Sequence, residues 1–125
     1  MKPNAPKVHP LKRVIKSFHY ALRGMWELFL YTPNARIHLL CAIAVVILAA
    51  ILGVSKVEWL ILVLTIFLVF SMEAMNSAIE KLADRVSPEY SPLIRDAKDL
   101  AAGAVLLVAI GAVIVGLIIF IPYLF

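Results

Sequence analysis

Residues 57–86 read VEWLILVLTIFLVFSMEAMNSAIEKLADRV, and this stretch decides the fold. Its first half is almost entirely apolar, and its second half keeps a helical pattern of small and charged residues as far as Val86. Ser87 and Pro88 then end the pattern, because proline disfavours a helical conformation in the residue before it. The stretch predicts one continuous helix that crosses a bilayer and extends into water.

Two further stretches are apolar enough to span a membrane. Residues 37–54 carry no formal charge when His38 is neutral. As a helix with about 1.5 Å per residue they would be roughly 27 Å long. A signal peptide is disfavoured, because too many polar and amphipathic residues precede this run. After a loop over 87–96, Asp96 is predicted to cap a helix whose apolar part, 97–121, is rich in glycine and alanine.

The composition excludes several classes of protein. Hydrophobic residues make up 63% of the chain and charged residues 16%, with a mean hydropathy of +0.97, so neither a soluble globule nor a disordered chain fits. A single cysteine, Cys41, excludes a disulfide scaffold. The chain contains no motif that supports nucleic-acid binding.

Residues 11–30 set apolar side chains at helical spacing opposite cations, which predicts an amphipathic helix on the membrane surface. Seven Lys and Arg precede residue 37, where Glu27 is the only acid. The predicted fold is therefore an all-α integral membrane protein, a single domain over 1–125 with a surface helix and spans at 37–54, 57–86 and 97–121. Since cations concentrate in the cytoplasm, we expect the N-terminal segment and the 87–96 loop there.

Four polar residues share one face of the second span: Glu73, Asn76, Glu80 and Asp84. At about 100° per residue they fall within an arc about 80° wide. For Glu80 and Asp84, a solvated edge of a helix leaving the bilayer is an equally open interpretation. Glu73 directly follows the apolar run, where a carboxylate is costly unless it is paired, protonated or functional.

Such a face has the groups that phosphoryl transfer needs. Carboxylates can hold Mg²⁺ together with waters and substrate phosphates, and a further carboxylate near the bilayer can accept the proton of a lipid hydroxyl. The Walker A loop and the protein-kinase motifs are absent, so an ATP site would be built from helix faces. The histidines are scattered, which disfavours zinc, and His38 is interpreted as an interfacial residue and not a ligand.

Two segments carry a family resemblance: EAMNSAIEKLADR (73–85) and AKDLAAGAVLL (97–107). Together they closely resemble the prokaryotic diacylglycerol kinase family of small lipid kinases, and the likeness extends from about Arg13 to Val115. The resemblance implies a homotrimer in the bacterial plasma membrane. It also implies that residues of neighbouring subunits hold MgATP at the cytosolic interface.

The resemblance also implies residue roles. Glu73 would be the general base on the lipid hydroxyl, and Glu80 would bind both metal and nucleotide. The other implied nucleotide contacts are Arg13, Tyr20, Glu89, Tyr90, Ser91, Lys98 and Asp99. Asn76 and Asp84 would be supporting polar residues beside the site.

One position departs from the family pattern. A second metal-binding glutamate usually lies four residues before the arginine that opens the first span, and relative to Arg36 that place is Thr32. Metal binding is then weaker or differently composed, or Thr32 supplies a neutral oxygen.

The sequence leaves alternatives for the lipid that accepts the phosphoryl group and for the class of function. The segments NARIHLL and DLAAGAVLLVAIGAVIVGLIIF resemble the branch that phosphorylates undecaprenol, and diacylglycerol is the alternative acceptor. A small proton-coupled transporter and a non-catalytic membrane adaptor are more distant alternatives. Proton-coupled transporters of this size usually have four spans, with the acidic residue in the first span. The adaptor remains an alternative because Thr32 stands where the family usually has a metal-binding glutamate.

The charge distribution predicts the topology. A cysteine introduced at Ser55 in a Cys41→Ala background should react with an impermeant thiol reagent added outside intact cells, because the 53–58 turn has only one cation. A cysteine at Ser91 should react only after the cells are permeabilised. The reverse labelling pattern would reject the orientation.

Overall fold

The computed structural model describes residues 9–125, and they form four helices joined by short turns. The helices are α1 (Pro10–Tyr31), α2 (Pro33–Leu52), α3 (Lys56–Val86) and α4 (Pro92–Leu124). No strand occurs in this part of the chain. Residues 1–8, with Lys2 and Lys7 of the charge argument, lie outside the described residues. The predicted fold class, one helix followed by three apolar helices long enough to cross a membrane, is confirmed.

The corner between α1 and α2 is a single residue, Thr32, in an extended conformation with φ −113° and ψ 103°. Its backbone N–H donates to the Leu28 carbonyl and closes α1. Pro33 then occupies the first position of α2, where its missing N–H costs nothing and its fixed φ suits a helix. Proline in this place sets the point at which the chain turns from α1 into the first apolar helix.

The turn between α2 and α3 has two specific end signals. Gly53 ends α2 at φ 65°, a left-handed conformation that glycine adopts without steric cost. Ser55 and Glu58 then start α3 as a reciprocal capping box: the Ser55 N–H donates to Glu58 Oε1 at 2.9 Å, and the Glu58 N–H donates to Ser55 Oγ at 3.2 Å. Tyr123, near the end of α4, donates its hydroxyl hydrogen to the same Glu58 carboxylate.

The α3 and α4 helices form a long antiparallel hairpin. With 31 and 33 residues they are about 46 and 50 Å long, whereas the hydrocarbon core of a bilayer is about 30 Å thick. The α2 helix has 20 residues and matches that thickness. Because Tyr123 and Glu58 meet at the other end, the surplus length of the hairpin lies at the 87–91 loop and extends beyond the start of α2.

The predicted start of the last helix is wrong. The α4 helix begins at Pro92 with Ser91 as its N-cap, so the loop is confined to 87–91 and Asp96 lies inside the helix. Pro92 was interpreted as part of a loop, yet proline at the first helical position has its φ already fixed at a helical value. The correction adds more than one turn to α4 on the side of the loop.

A small buried cluster holds the helices together at the end opposite this loop: Ala49, Val54, Leu62, Ile119 and Phe120. Most large apolar side chains elsewhere are exposed on the single chain, Phe67 at 66% and Leu107 at 72% among them. In lipid such exposure has no hydrophobic penalty, because the acyl chains are themselves apolar. The buried polar residue of the described chain is Glu73, at 1% exposure.

Candidate functional site

Contacts from α1 and from the corner residue Thr32 show which part of α3 lies beside the corner. Thr32 Oγ1 lies 3.3 Å from Ser77 Oγ, and Lys81 Nζ lies 3.5 Å from Glu27 Oε2. The Phe29 ring also packs edge-on against that of Phe70, with centroids 5.3 Å apart. The corner at Thr32 is therefore beside Ser77, in the polar part of α3.

Glu73 lies deeper than this corner. It precedes Ser77 by one turn, about 6 Å along α3 towards the bilayer centre. Its Oε1 is 3.1 Å from Nε2 of His38, which lies about 9 Å along α2 from Thr32. Neither Glu73 oxygen accepts a hydrogen bond of regular geometry from the described residues. A carboxylate at this depth depends on the His38 imidazole, because removal from water is costly for an unpaired charge.

Of the rest of the acidic face, Asn76 lies level with the corner, and Glu80 and Asp84 lie beyond it, towards water. The Asn76 amide donates to Glu80 Oε1 at 3.5 Å, and the Glu80 side chain is exposed. Asn76 Oδ1 is buried and has no hydrogen-bond partner among the described residues. An accessible carboxylate and an unsatisfied amide oxygen thus lie next to each other on one turn of α3.

The start of α4 adds cations to this face. Lys98 Nζ forms a direct ion pair with Asp84 Oδ1, which joins the two long helices outside the bilayer core. On the next turn, Arg95 Nε lies 3.4 Å from Asp99 Oδ1. The structure therefore brings Lys98 of the predicted nucleotide-binding pair into contact with Asp84, whereas Asp99 contacts Arg95 on its own helix.

The other predicted nucleotide residues lie apart from α3 in the single chain. Glu89 and Tyr90 are exposed in the loop, and Ser91 caps α4 without a side-chain hydrogen bond. Tyr20 lies about 10 Å and Arg13 about 21 Å along α1 before Glu27, the residue that contacts Lys81. Among residues 9–125, no hydrogen bond or ion pair joins the side chain of Arg13 or Tyr20 to α3 or α4.

A groove of about 1060 Å³ runs between α1, α2 and α3. Its lining is mostly apolar, and its polar side chains are Glu27, Thr32, Ser71, Ser77 and Lys81. At about 100° per residue, the α3 residues that line the groove are centred about 90° around the helix axis from the acidic face. Ser77 lies between the two faces, so the groove and the acidic face meet where Thr32 touches Ser77.

The sequence interpretation missed several participants. His38 was interpreted as an interfacial residue, and its contact with Glu73 depends on how α2 packs against α3. The ion pairs of Arg95 with Asp99 and of Glu27 with Lys81 were also not predicted. Arg95 and Asp99 are four residues apart on one helix, a spacing that could have indicated their pairing. The other two contacts join residues distant in sequence and had no local signal.

Fold and site together define a small integral membrane protein whose acidic helix face leaves the bilayer beside an apolar groove. Residues 19–120 match the family described as prokaryotic diacylglycerol kinase, and the chain belongs to this family. The resemblance in residues 73–85 and 97–107 is thereby confirmed.

Three relatives show how far the similarity extends. The chain is 42% identical to the undecaprenol kinase of Bacillus subtilis over 114 residues, which cover 91% of this chain and 93% of that protein. It is 41% identical to a Synechocystis diacylglycerol kinase, over 93% of this chain and 66% of that protein. It is 33% identical to the Escherichia coli K12 diacylglycerol kinase, over 82% of this chain and 84% of that protein.

Proposed function

We propose that this protein transfers the γ-phosphoryl group of ATP to the hydroxyl of a membrane lipid alcohol, and that the alcohol is undecaprenol. The observation that carries the proposal is the buried Glu73 carboxylate at the membrane end of the acidic face, in a chain of a lipid kinase family. Diacylglycerol is the alternative acceptor, because two of the relatives compared above are diacylglycerol kinases.

Glu73 acts as the general base in this proposal. It lies at the depth proposed for the lipid hydroxyl, and two residues that line the groove, Ala74 and Ser77, lie within about one turn of it on α3. As the lipid oxygen forms its bond to phosphorus, its proton passes to the Glu73 carboxylate, and the bond between phosphorus and the ADP oxygen breaks. Burial excludes water, which would otherwise compete with the lipid hydroxyl for the phosphoryl group.

The oxygen donors beside Glu73 fit Mg²⁺. Among the described residues no group of three or more His, Cys, Asp or Glu could enclose a metal. Mg²⁺ needs no such cage, because it is usually bound through one or two carboxylates, waters and substrate phosphates. Glu80 and the unsatisfied Asn76 Oδ1 are the donors that would hold it here. When bound, the ion would neutralise negative charge on the phosphates.

The nucleotide phosphates are proposed to lie on the α4 side of the acidic face. Asp84 holds the Lys98 ammonium there by a direct ion pair, and Arg95 orients Asp99. Arg13, Tyr20 and the loop residues Glu89, Tyr90 and Ser91 would complete the nucleotide site. Because Arg13 and Tyr20 lie far along α1 from the contacts with α3, we propose that they serve the site of a neighbouring subunit in a homotrimer.

The location follows from the same reasoning. The active site is proposed to face the cytosol, where ATP is available, and the protein is proposed to lie in the bacterial plasma membrane. The cations of α1 and of the start of α4 support this orientation, because Lys and Arg are enriched on the cytosolic side of membrane proteins.

The roles of Glu73 and Glu80 predict different kinetic defects. Glu73→Gln should retain MgATP binding and lose transfer by about 100-fold or more, since the base is removed. Glu80→Ala should instead weaken MgATP binding, because a hard oxygen ligand is lost. Turnover of labelled ATP in lipid micelles and nucleotide binding by calorimetry measure the two effects.

Glu58→Gln is the matched control, since it removes a carboxylate at the other end of the same helix and a glutamine still fits the capping box. It should leave turnover unchanged. Small and equal effects of Glu73→Gln and Glu80→Ala would mean that the acidic face is only a solvated helix edge.

The position of Thr32 predicts that a carboxylate in its place would strengthen Mg²⁺ binding. Its contact with Ser77 places it at the edge of the acidic face, so Thr32→Glu should add a carboxylate there and raise the affinity for Mg²⁺. A titration of ATP turnover against free Mg²⁺ should shift to lower concentration. Thr32→Gln is the control for size without charge and should not produce this shift. An unchanged titration for Thr32→Glu would show that the residue does not reach the metal.

The choice of acceptor is predicted from the headgroup region. The groove of about 1060 Å³ is not an enclosed cavity, so a C55 tail would remain in the bilayer and selection would depend on residues near the lipid hydroxyl. Turnover in mixed micelles should favour undecaprenol over diacylglycerol, which is bulkier at its hydroxyl. Ala102 is exposed whereas Ala101 is buried, so Ala102→Leu should spare packing within the chain and impair diacylglycerol use more. A clear preference for diacylglycerol would reject undecaprenol as the acceptor and leave the kinase activity standing.

A further inference from the structure

His38 is the residue of α2 that faces the buried carboxylate. Its Nε2 is 3.1 Å from Glu73 Oε1, and its side chain is 26% exposed against 1% for that of Glu73. It also borders a small cavity of about 100 Å³, together with Cys41 and Gly116. An imidazole and a carboxylate are thus held in contact between two membrane helices, at the proposed reaction depth.

Glu73 has few other sources of a hydrogen bond. The backbone N–H groups of α3 around it are used in the helix, and the Asn76 amide donates to Glu80. Thr32 and Ser77 form a hydroxyl pair about one turn nearer the water. Within the described residues, His38 is therefore the partner that the structure supplies to this carboxylate.

We propose that His38 is a positioning residue for Glu73. A small rotation of the imidazole from the 3.1 Å contact lets its Nε2–H donate to Oε1, which fixes the orientation of the carboxylate and leaves Oε2 to accept the proton of the lipid hydroxyl. The proposal rests on the proposed role of Glu73 as the general base. His38 itself neither gains nor loses a proton in the step: the lipid O–H bond breaks, and the proton ends on Glu73.

The chemistry of imidazole suits this task. A neutral histidine with hydrogen on Nε2 donates one hydrogen bond, and a protonated histidine donates through the same atom. A donor that holds a base in one orientation acts in the same sense as the aspartate that orients histidine in a catalytic triad. In a buried site this donor also offsets part of the cost of the carboxylate charge.

Kinetics of His38 variants test the proposal. His38→Ala should lower kcat by about 10-fold or more, the scale of losing an orienting partner, and leave the KM for MgATP within about twofold. His38→Gln, whose amide can put an N–H near the position of Nε2, should recover at least about threefold of that loss. Cys41→Ala, which changes a neighbour on the border of the same cavity, is the matched control and should retain wild-type kcat.

A double variant separates positioning from a general effect on folding. In a Glu73→Gln background, His38→Ala should cause no further loss of kcat, because the group it orients has already been removed. A further loss of the full size seen in the single variant would overturn the proposal. Circular dichroism and thermal melting in detergent establish that the compared variants are folded, and if His38→Ala is not, His38→Leu, which removes the donor but fills more of the space, takes its place in the cycle.

The failure of this inference differs from the failure of the proposed function. If Glu73→Gln abolishes transfer while a folded His38→Ala retains wild-type kcat, the positioning role is overturned and the base role stands. If Glu73→Gln itself retains transfer, the base role is overturned and the positioning role with it.

Discussion

The structure depends on how a carboxylate is held at the edge of a bilayer. Lipid supplies no hydrogen bonds, so each polar group at that depth must find its partner within the protein. Glu73 meets this constraint by facing His38 across the contact between α3 and α2. The contact between Glu73 and His38 brings α2 against the middle of α3. The corner at Thr32 lies one turn nearer the water, beside Ser77.

Because α3 is longer than a bilayer is thick, one helix carries two environments. Its first part faces lipid and the other helices with apolar side chains, and its last turns carry the exposed Glu80 and Asp84 towards water. The two faces of α3 are also different, since the groove lies about a quarter turn around the helix from the acidic face. In the proposed function, a lipid hydroxyl from the side of the groove and a phosphate from the water side would meet beside Glu73.

The start of the α4 helix contributes cationic side chains beside the acidic face of α3. Its early start at Pro92 carries Arg95, Lys98 and Asp99 into the region outside the bilayer core, where Lys98 forms an ion pair with Asp84 of α3. Exposed ion pairs contribute little to stability. The pair places the Lys98 ammonium next to the acidic face of α3, where the proposed function needs a cation for the nucleotide phosphates.

The sequence by itself determined the helices, the membrane-spanning class, the acidic face and the family, because helical periodicity, apolar runs and the two motifs are local properties of the chain. It misjudged the start of α4, where Pro92 begins a helix although prolines were interpreted as loop residues. Only the tertiary structure decided that His38 is the partner of Glu73, that Thr32 meets Ser77, and where the groove lies. These features depend on how each helix is rotated against its neighbours, and that rotation is set by packing between residues distant in sequence.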